Sequence, residues 1–209
     1  AEIRRLTLTN LSGQTRYLEL TSYLELALAP HNADRAHPAF GKLFVETQAL
    51  PGQMALLARR RPRSPEETPV WAGHVLALET PPLEPWQYET DRARFLGRGR
   101  SPRDPAALQG PLSNSAGAVC DPIFSLRCRI GIEPGRRFRL AFVTLAAETH
   151  QGALALIEKY RALLASENAI ELAWNHAQLE LRHFGVQIDD AQHFQELGSH
   201  ALYPNPRLR

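Results

Sequence analysis

Lysine is almost missing from this chain. Of its 24 basic residues only Lys42 and Lys159 are lysines; the rest are arginines. Arginine is a planar, permanently charged fork that suits carboxylates, phosphates and sugar hydroxyls, although a genomic compositional bias would produce the same excess. The 22 acidic residues bring the net charge down to +2, which argues against a general nucleic-acid binder. Cysteine is equally scarce. Cys120 and Cys128 form no C-x-x-C pair and have no nearby Cys or His at zinc spacing, so reduced thiols are expected rather than a metal site or a disulfide framework.

Long apolar runs are also missing. No segment approaches the ~18 residues that a membrane span needs: residues 18–29 are interrupted by Glu19 and Glu25, and residues 138–147 carry Arg139. No signal peptide is recognised. There is no Ser-His-Asp order, no glycine-rich phosphate cradle and no nucleophile elbow. No repeat of fixed period is found, and no cofactor is expected. The chain opens on Ala1 directly into a strand-like segment and stops after Tyr203-Pro204-Asn205-Pro206. Both ends are therefore expected to be boundaries of a soluble piece cut from a larger protein.

What is present is a change of period. Over the first two thirds the apolar residues alternate, as in half-buried strands. Residues 3–9 lead into Asn10-Leu11-Ser12-Gly13, a turn composition. In residues 16–28, Leu18, Leu20, Leu24, Leu26 and Leu28 share one face, and the short joint predicts a hairpin with residues 3–9. A polar loop is expected over 30–41. Strands are expected over 42–48, 54–60 and 70–79, with Pro62, Pro65 and Pro69 before Trp71 and Pro81, Pro82 and Pro85 ending the last of them. Residues 97–117 read as a long Gly/Pro/Arg loop. A second hairpin is predicted around Pro134-Gly135, with Phe124, Leu126, Cys128, Ile130 and Ile132 on one arm and Phe138, Leu140 and Phe142 on the other.

Near residue 147 the period becomes that of a helix. Thr149 is placed to cap a helix through about Leu164. Ser166 is placed to cap a second, with Ile170, Ala173, Trp174, Ala177, Leu181 and Phe184 as its stripe and Gly185 past its end. Asp189 and Gln192 resemble a capping box opening a third helix towards Leu202. Strands followed by helices predict a mainly β fold with C-terminal helices in segregated layers. The division is an antiparallel β-sandwich over 1–147 and helices over 148–209.

Few clusters carry chemistry. His31, Asp34 and His37 lie close in sequence, but prolines constrain the loop and no fourth ligand is apparent, so anchoring hydrogen bonds are expected there rather than a metal. His176 and His183, like His193 and His200, sit two helical turns apart, too far to chelate together. The run Arg59-Arg60-Arg61-Pro62-Arg63 reads as a solvated face. The distinctive stretch is Asp91-Arg92-Ala93-Arg94-Phe95-Leu96-Gly97-Arg98-Gly99-Arg100. Asp91, Arg92, Arg94, Phe95, Arg98 and Arg100 are the candidates for gripping phosphate or sugar hydroxyls; the alternative is a structural Arg–Asp knot that holds the long loop.

That stretch, with Tyr88-Glu89-Thr90 before it, resembles the glycoside phosphorylases related to cellobiose phosphorylase, glycoside hydrolase family 94. Among them it is most similar to the phosphorylase-like region of the cyclic β-1,2-glucan synthases. Thr21-Ser22-Tyr23-Leu24-Glu25-Leu26, the segment from Ala36-His37-Pro38 to Val45-Glu46-Thr47, Asp121-Pro122-Ile123-Phe124-Ser125-Leu126-Arg127 and Ala173-Trp174-Asn175-His176-Ala177-Gln178 carry the same likeness in the same order. The resemblance implies a β-supersandwich, related to the galactose-mutarotase-like sandwiches, then linker helices, then an α/α toroid. It places the general acid, an aspartate, and the phosphate site in that toroid, so no catalytic residue is expected here. It implies as partners the rest of a parent chain, a β-glucan oligosaccharide and a homodimer mate, with no nucleic acid and no membrane contact. The parent is expected to be an inner-membrane glycosyltransferase, with this piece on the cytoplasmic side. Two other readings stand beside it. One is a mutarotase-like sugar epimerase, for which His74 with Glu79 or Glu89 would supply acid and base. The other is a glycan-binding module using Trp71, Trp86, Tyr88 or Trp174, although Trp71 and Trp174 are expected in cores.

Overall fold

The alternating segments form two antiparallel sheets in a computed structural model that describes residues 1–62, 64 and 67–202. One sheet has five strands: β1 (Glu2–Thr9), β4 (Val45–Leu50), β5 (Ala55–Arg60), β6 (Val70–Leu78) and β9 (Arg137–Ala147), in the order β1-β9-β6-β5-β4. The other is built on β8 (Pro122–Ile132), which pairs with β2 (Arg16–Thr21), β3 (Leu24–Glu25) and β7 (Gln87–Asp91). The expectation of a mainly β fold with C-terminal helices holds. Arg63 of the basic run, Pro65, and the terminal segment from Tyr203 lie outside the described residues.

The core lies between the sheets. Phe124, Leu126, Cys128, Ile130 and Ile132 of β8 face Phe138, Leu140 and Phe142 of β9, with Leu26, Leu56, Ala58 and Leu76 between them. The apolar faces read from the alternation of β8 and β9 are buried; of the face read over 16–28, Leu26 is buried, Leu20, Leu24 and Leu28 are partly buried against the core, and Leu18 remains 37% exposed.

Neither predicted hairpin forms. β1 pairs with β9, and β2 pairs with β8, along their lengths. The 10–15 joint and the Pro134-Gly135 turn therefore each carry the chain from one sheet to the other. Asn10 ties the two crossings together: its side-chain amide donates to the carbonyls of Ile132 at 2.7 Å and Gln14 at 2.8 Å, and its backbone N–H donates to the Arg136 carbonyl at 3.0 Å. Alternation states that one face of a strand is buried, but not which strand lies beside it. In a sandwich, two consecutive strands bury their apolar faces equally well by facing each other as by pairing.

Other boundaries also shift. Leu28 adopts a positive φ of 47°, and the expected single strand over 16–28 divides into β2 and β3. The expected loop over 30–41 holds two short helices, α1 (His31–Ala36) and α2 (Pro38–Lys42), with Pro38 at the first turn of α2, where its missing N–H costs nothing. The residues after Gln87 form β7 and then α3 (Arg92–Leu96). The long loop contains a 3-10 turn (Ala106–Gln109) and buries Ala107 and Leu112.

Helix α4 (His150–Tyr160) covers the outer face of the five-stranded sheet. Thr149 caps it as expected, accepting from the Gly152 N–H at 3.0 Å. Its buried Ala153 and Ile157 meet the sheet where Gly73 removes a side chain: a Cβ there would lie 2.9 Å from Leu145 Cδ1 and 3.1 Å from Ile157 Cδ1. Gly73→Val should therefore lower stability by about 2 kcal/mol through overpacking, measured as a fall in the denaturant midpoint. A rise, following the strand preference of valine, would count against this account.

The chain divides into two units, Ala1–Ser166 and Glu167–Arg209. Helix α5 (Leu163–His183) begins in the first, where Leu163 and Ser166 are buried, and continues into the second. It ends as predicted at Gly185, which takes φ 66°, while the Val186 N–H reaches back to the Leu181 carbonyl at 2.9 Å. Helix α6 (Ile188–Leu202) starts one residue before the expected cap. Asp190, not Gln192, reaches back, accepting from the Gln187 N–H at 3.4 Å. In the second unit Leu172, Trp174, Leu179, Phe184, Phe194 and Leu197 are exposed, so Trp174 does not occupy a core.

Candidate functional site

The predicted motif folds as strand end, cap and short helix. Asp91 ends β7, and its carboxylate accepts from the Ala93 N–H at 2.8 Å, which starts α3. Gly97, with φ 80°, stops α3 in a conformation few side chains tolerate, and a Cβ there would lie 2.7 Å from Ala106 Cβ. The glycine lets the long loop return against α3. Phe95 and Leu96 are buried there with Ala107, Leu112 and Ile123, and the Phe95 ring stacks on Tyr23 at 4.8 Å.

The turn separates the motif's arginines. Arg92 Nε donates to Glu25 Oε1 at 2.8 Å and to the Tyr23 hydroxyl at 3.2 Å, and its Nη1 lies 3.5 Å from Asp121 Oδ2. Lys42, one of the two lysines, closes the ring at 2.6 Å from Asp121 Oδ1. The Tyr23 hydroxyl in turn donates to Glu25 at 2.7 Å. Burial, then the bond to Glu25, pushes the Tyr23 hydroxyl up to about 12. Its hydrogen bond and the Arg92 guanidinium hold Glu25 below the usual carboxylate range. Arg94 lies 3.8 Å from Asp91 and 3.5 Å from the Ser113 hydroxyl, and Arg100 lies 3.7 Å from Asp104. Arg98 is exposed. The structure thus brings Asp91, Arg92 and Phe95 into a buttress and leaves Arg94, Arg98 and Arg100 on the surface.

Of the other anchors of this face, the sequence offered Glu89 only as an epimerase carboxylate and did not single out Arg127. Glu89 is 2% exposed, and its carboxylate accepts from the Thr90 N–H at 2.9 Å, the Asp91 N–H at 3.0 Å, the Ser113 hydroxyl at 2.6 Å and the Ser115 hydroxyl. Arg127, 4% exposed on β8, donates to the loop carbonyls of Ala107 at 2.6 Å and Gly110 at 2.7 Å and to Thr21 Oγ1 at 2.8 Å. Arg127 is a charged residue in a strand with strong alternation, which was the available signal; β7, which carries Glu89, is too short to show one. The loop partners are far away in sequence. The basic run is likewise built in rather than solvated throughout: Arg60 is 5% exposed and pairs with Glu67, while Arg59 and Arg61 bracket Glu46.

His74 is 2% exposed in the inter-sheet core. Its ring lies nearly parallel to Phe124 and Phe142 at 6.0 and 5.9 Å. Nε2 meets Ser22 Oγ at 2.9 Å and Nδ1 meets Thr144 Oγ1 at 3.1 Å. Glu79 instead pairs with Arg139 at 3.0 Å, and Glu89 holds the loop, so neither carboxylate is a hydrogen-bond partner of this imidazole. Among the aromatics offered for glycan stacking, Trp86 and Tyr88 pack on each other at 5.2 Å and against the core. Trp71 lies 4.6 Å from the His150 ring, with the Arg59 guanidinium 5.8 Å from its centroid. Among the described residues no group of His, Cys, Asp and Glu could hold a metal ion. No helix there is long and apolar enough to cross a membrane.

A two-sheet antiparallel sandwich followed by helices fits the supersandwich that the resemblance implied. The model of the family described as glycosyl hydrolase 94, supersandwich domain, matches residues 1–163, and the chain belongs to that family. It is also 35% identical over 211 residues to the cyclic beta-(1,2)-glucan synthase NdvB of Rhizobium meliloti (strain 1021). That match covers 100% of this chain and 8% of the relative's length.

Proposed function

We propose that the chain is the non-catalytic sandwich and linker of a larger β-glucan-processing enzyme of the cyclic β-1,2-glucan synthase type, holding glucan for a toroid domain elsewhere in the parent. The observation that carries this reading is the use of the buried acid–base groups. Glu89 and Arg127 are each bonded into the scaffold, and neither Glu79 nor Glu89 partners the His74 imidazole, whereas acid–base catalysis needs an acid and a base together within reach of a substrate. The division at 147, with the following helices leading to the toroid, is part of the proposal; the exposed apolar side chains of α5 and α6 suit helices that cover further chain. So is the placement of the fragment on the cytoplasmic side of a membrane-anchored parent. Arg94, Arg98 and Arg100 are the proposed glucan contacts, because the buttress of Asp91, Arg92 and Phe95 presents them at the surface. Calorimetric titration of the purified chain with linear β-1,2-glucan oligosaccharides should give saturable binding weakened in Arg98→Ala, and no phosphorolysis when inorganic phosphate is added. Turnover of glucan by the chain would overturn the non-catalytic reading, and absence of binding would remove the glucan-holding role.

A further inference from the structure

Between β1, at one edge of the five-stranded sheet, and the β2–β3 region of the other sheet, the sandwich opens into a cavity of about 290 Å³ lined by Arg4, Leu6, Ser22, His74, Phe142 and Thr144, among others. Tyr23 of the buttress is part of its lining, but none of Arg94, Arg98 and Arg100 is, and no part of the proposed function uses the cavity. Its lining contains hydroxyls, one imidazole, two arginines (Arg4 and Arg5) and apolar carbons, but no carboxylate, so it is not built for a cation. The Arg4 guanidinium is already paired with Glu2 at 2.7 Å. Burial holds the His74 ring well below the usual imidazole range, at about 4, so the floor is uncharged near neutrality and offers little to an anion.

The hydrogen bonding is suited to a neutral polyol. A hydroxyl has one donor and two acceptor positions. The imidazole takes one of those of Thr144, at 3.1 Å. Ser22 Oγ accepts from the Leu126 N–H at 3.0 Å and meets His74 Nε2 at 2.9 Å. Both hydroxyls border the cavity and are only partly buried. Ser22 Oγ also lies 3.4 Å from the Leu126 carbonyl, so it is the Thr144 hydroxyl that keeps positions open for a donor or an acceptor on the ligand. Leu6, 36% exposed, and the Phe142 ring provide an apolar wall for C–H groups. The volume is close to the lower bound of small-molecule sites, roughly 300 Å³, which suits one ring and excludes an oligosaccharide chain.

From this cavity and its Ser22–His74–Thr144 floor we infer that the inter-sheet cleft is a binding site for a single neutral pyranose, a free sugar or the terminal unit of a glucan. The choice of a sugar rests on the proposed glucan-handling role; the site itself is separate from the arginine face. The test follows the His74 ring signals of the isotope-labelled full chain by NMR during titration with D-glucose, with inorganic phosphate as a second arm. The expected result is a saturable shift with glucose and none with phosphate. Thr144→Val, which keeps shape and removes the hydroxyl, should weaken the glucose response about tenfold, the value of one hydrogen bond. A His74 response to phosphate alone, or none to glucose, overturns the inference. Glucan binding that is lost in Arg98→Ala and leaves the His74 signals unmoved would overturn this inference while leaving the proposed function standing. A glucose response without glucan binding would support the cleft and remove the glucan-holding role.

Discussion

Glu89→Ala is expected to be the most damaging single substitution on the loop face, lowering stability on the order of 4 kcal/mol. Four donors converge on this carboxylate: the N–H groups of Thr90 and Asp91 and the hydroxyls of Ser113 and Ser115. Truncation leaves them unpartnered in a site 2% exposed, and each buried unsatisfied group costs about 1–3 kcal/mol, less whatever water recovers. The loss should spread along the loop, because Thr90 Oγ1 also donates to the Ser115 carbonyl at 3.0 Å and Thr47 Oγ1 bonds Thr90 Oγ1 at 2.9 Å. Glu89→Gln separates hydrogen bonding from charge. Its carbonyl can accept as Oε1 does now, and its amide can donate to Ser113, so it should retain most of the stability. Chemical denaturation gives the magnitude, and amide exchange over residues 112–117 gives the location. Equal losses in the two variants, or unchanged exchange in the loop, would show that the carboxylate is not the anchor.

Acid should destabilise the sandwich through His74. An unfolded imidazole takes up a proton near pH 6.5, and the folded one only near about 4, chiefly because burial disfavours its charge. Between those values the unfolded chain holds more protons, so stability is full above pH 6.5 and declines as the pH falls towards 4. The total contribution is on the order of 3 kcal/mol. The measurement is the difference in unfolding free energy between wild type and His74→Gln across this range, which cancels the titration of the other groups. That difference should shrink, or change sign, as the pH falls. A difference that does not vary with pH would mean that the imidazole titrates normally in the fold.

Both effects arise in residues whose significance is only partly visible along the chain. The motif from Asp91 to Arg100 is legible: an acid before a short apolar turn signals a cap, and Asp91 is one. The partners of Arg92 are not legible in this way. Its carboxylate partners Glu25 and Asp121, and Lys42, which pairs with both of them, come from three other segments, and only the return of the long loop and the β3–β8 pairing bring them together. β7 escaped because a five-residue strand following prolines shows too few alternations to stand out. His74 could be placed in a strand from its neighbours, but its burial between Phe124 and Phe142 depends on the second sheet.

By itself the sequence determined the type of most elements and the face each strand buries, because side-chain period is a local consequence of backbone geometry. It determined the cap at Thr149 and the helix stop at Gly185, where one side chain or one glycine is enough. The motif order also identified the family. Tertiary structure alone decided which strands are neighbours, turning two predicted hairpins into two crossings between sheets, because an apolar face is buried equally well by an opposing sheet. It also decided which charges are buttress and which are surface, since that depends on which distant segments reach each guanidinium.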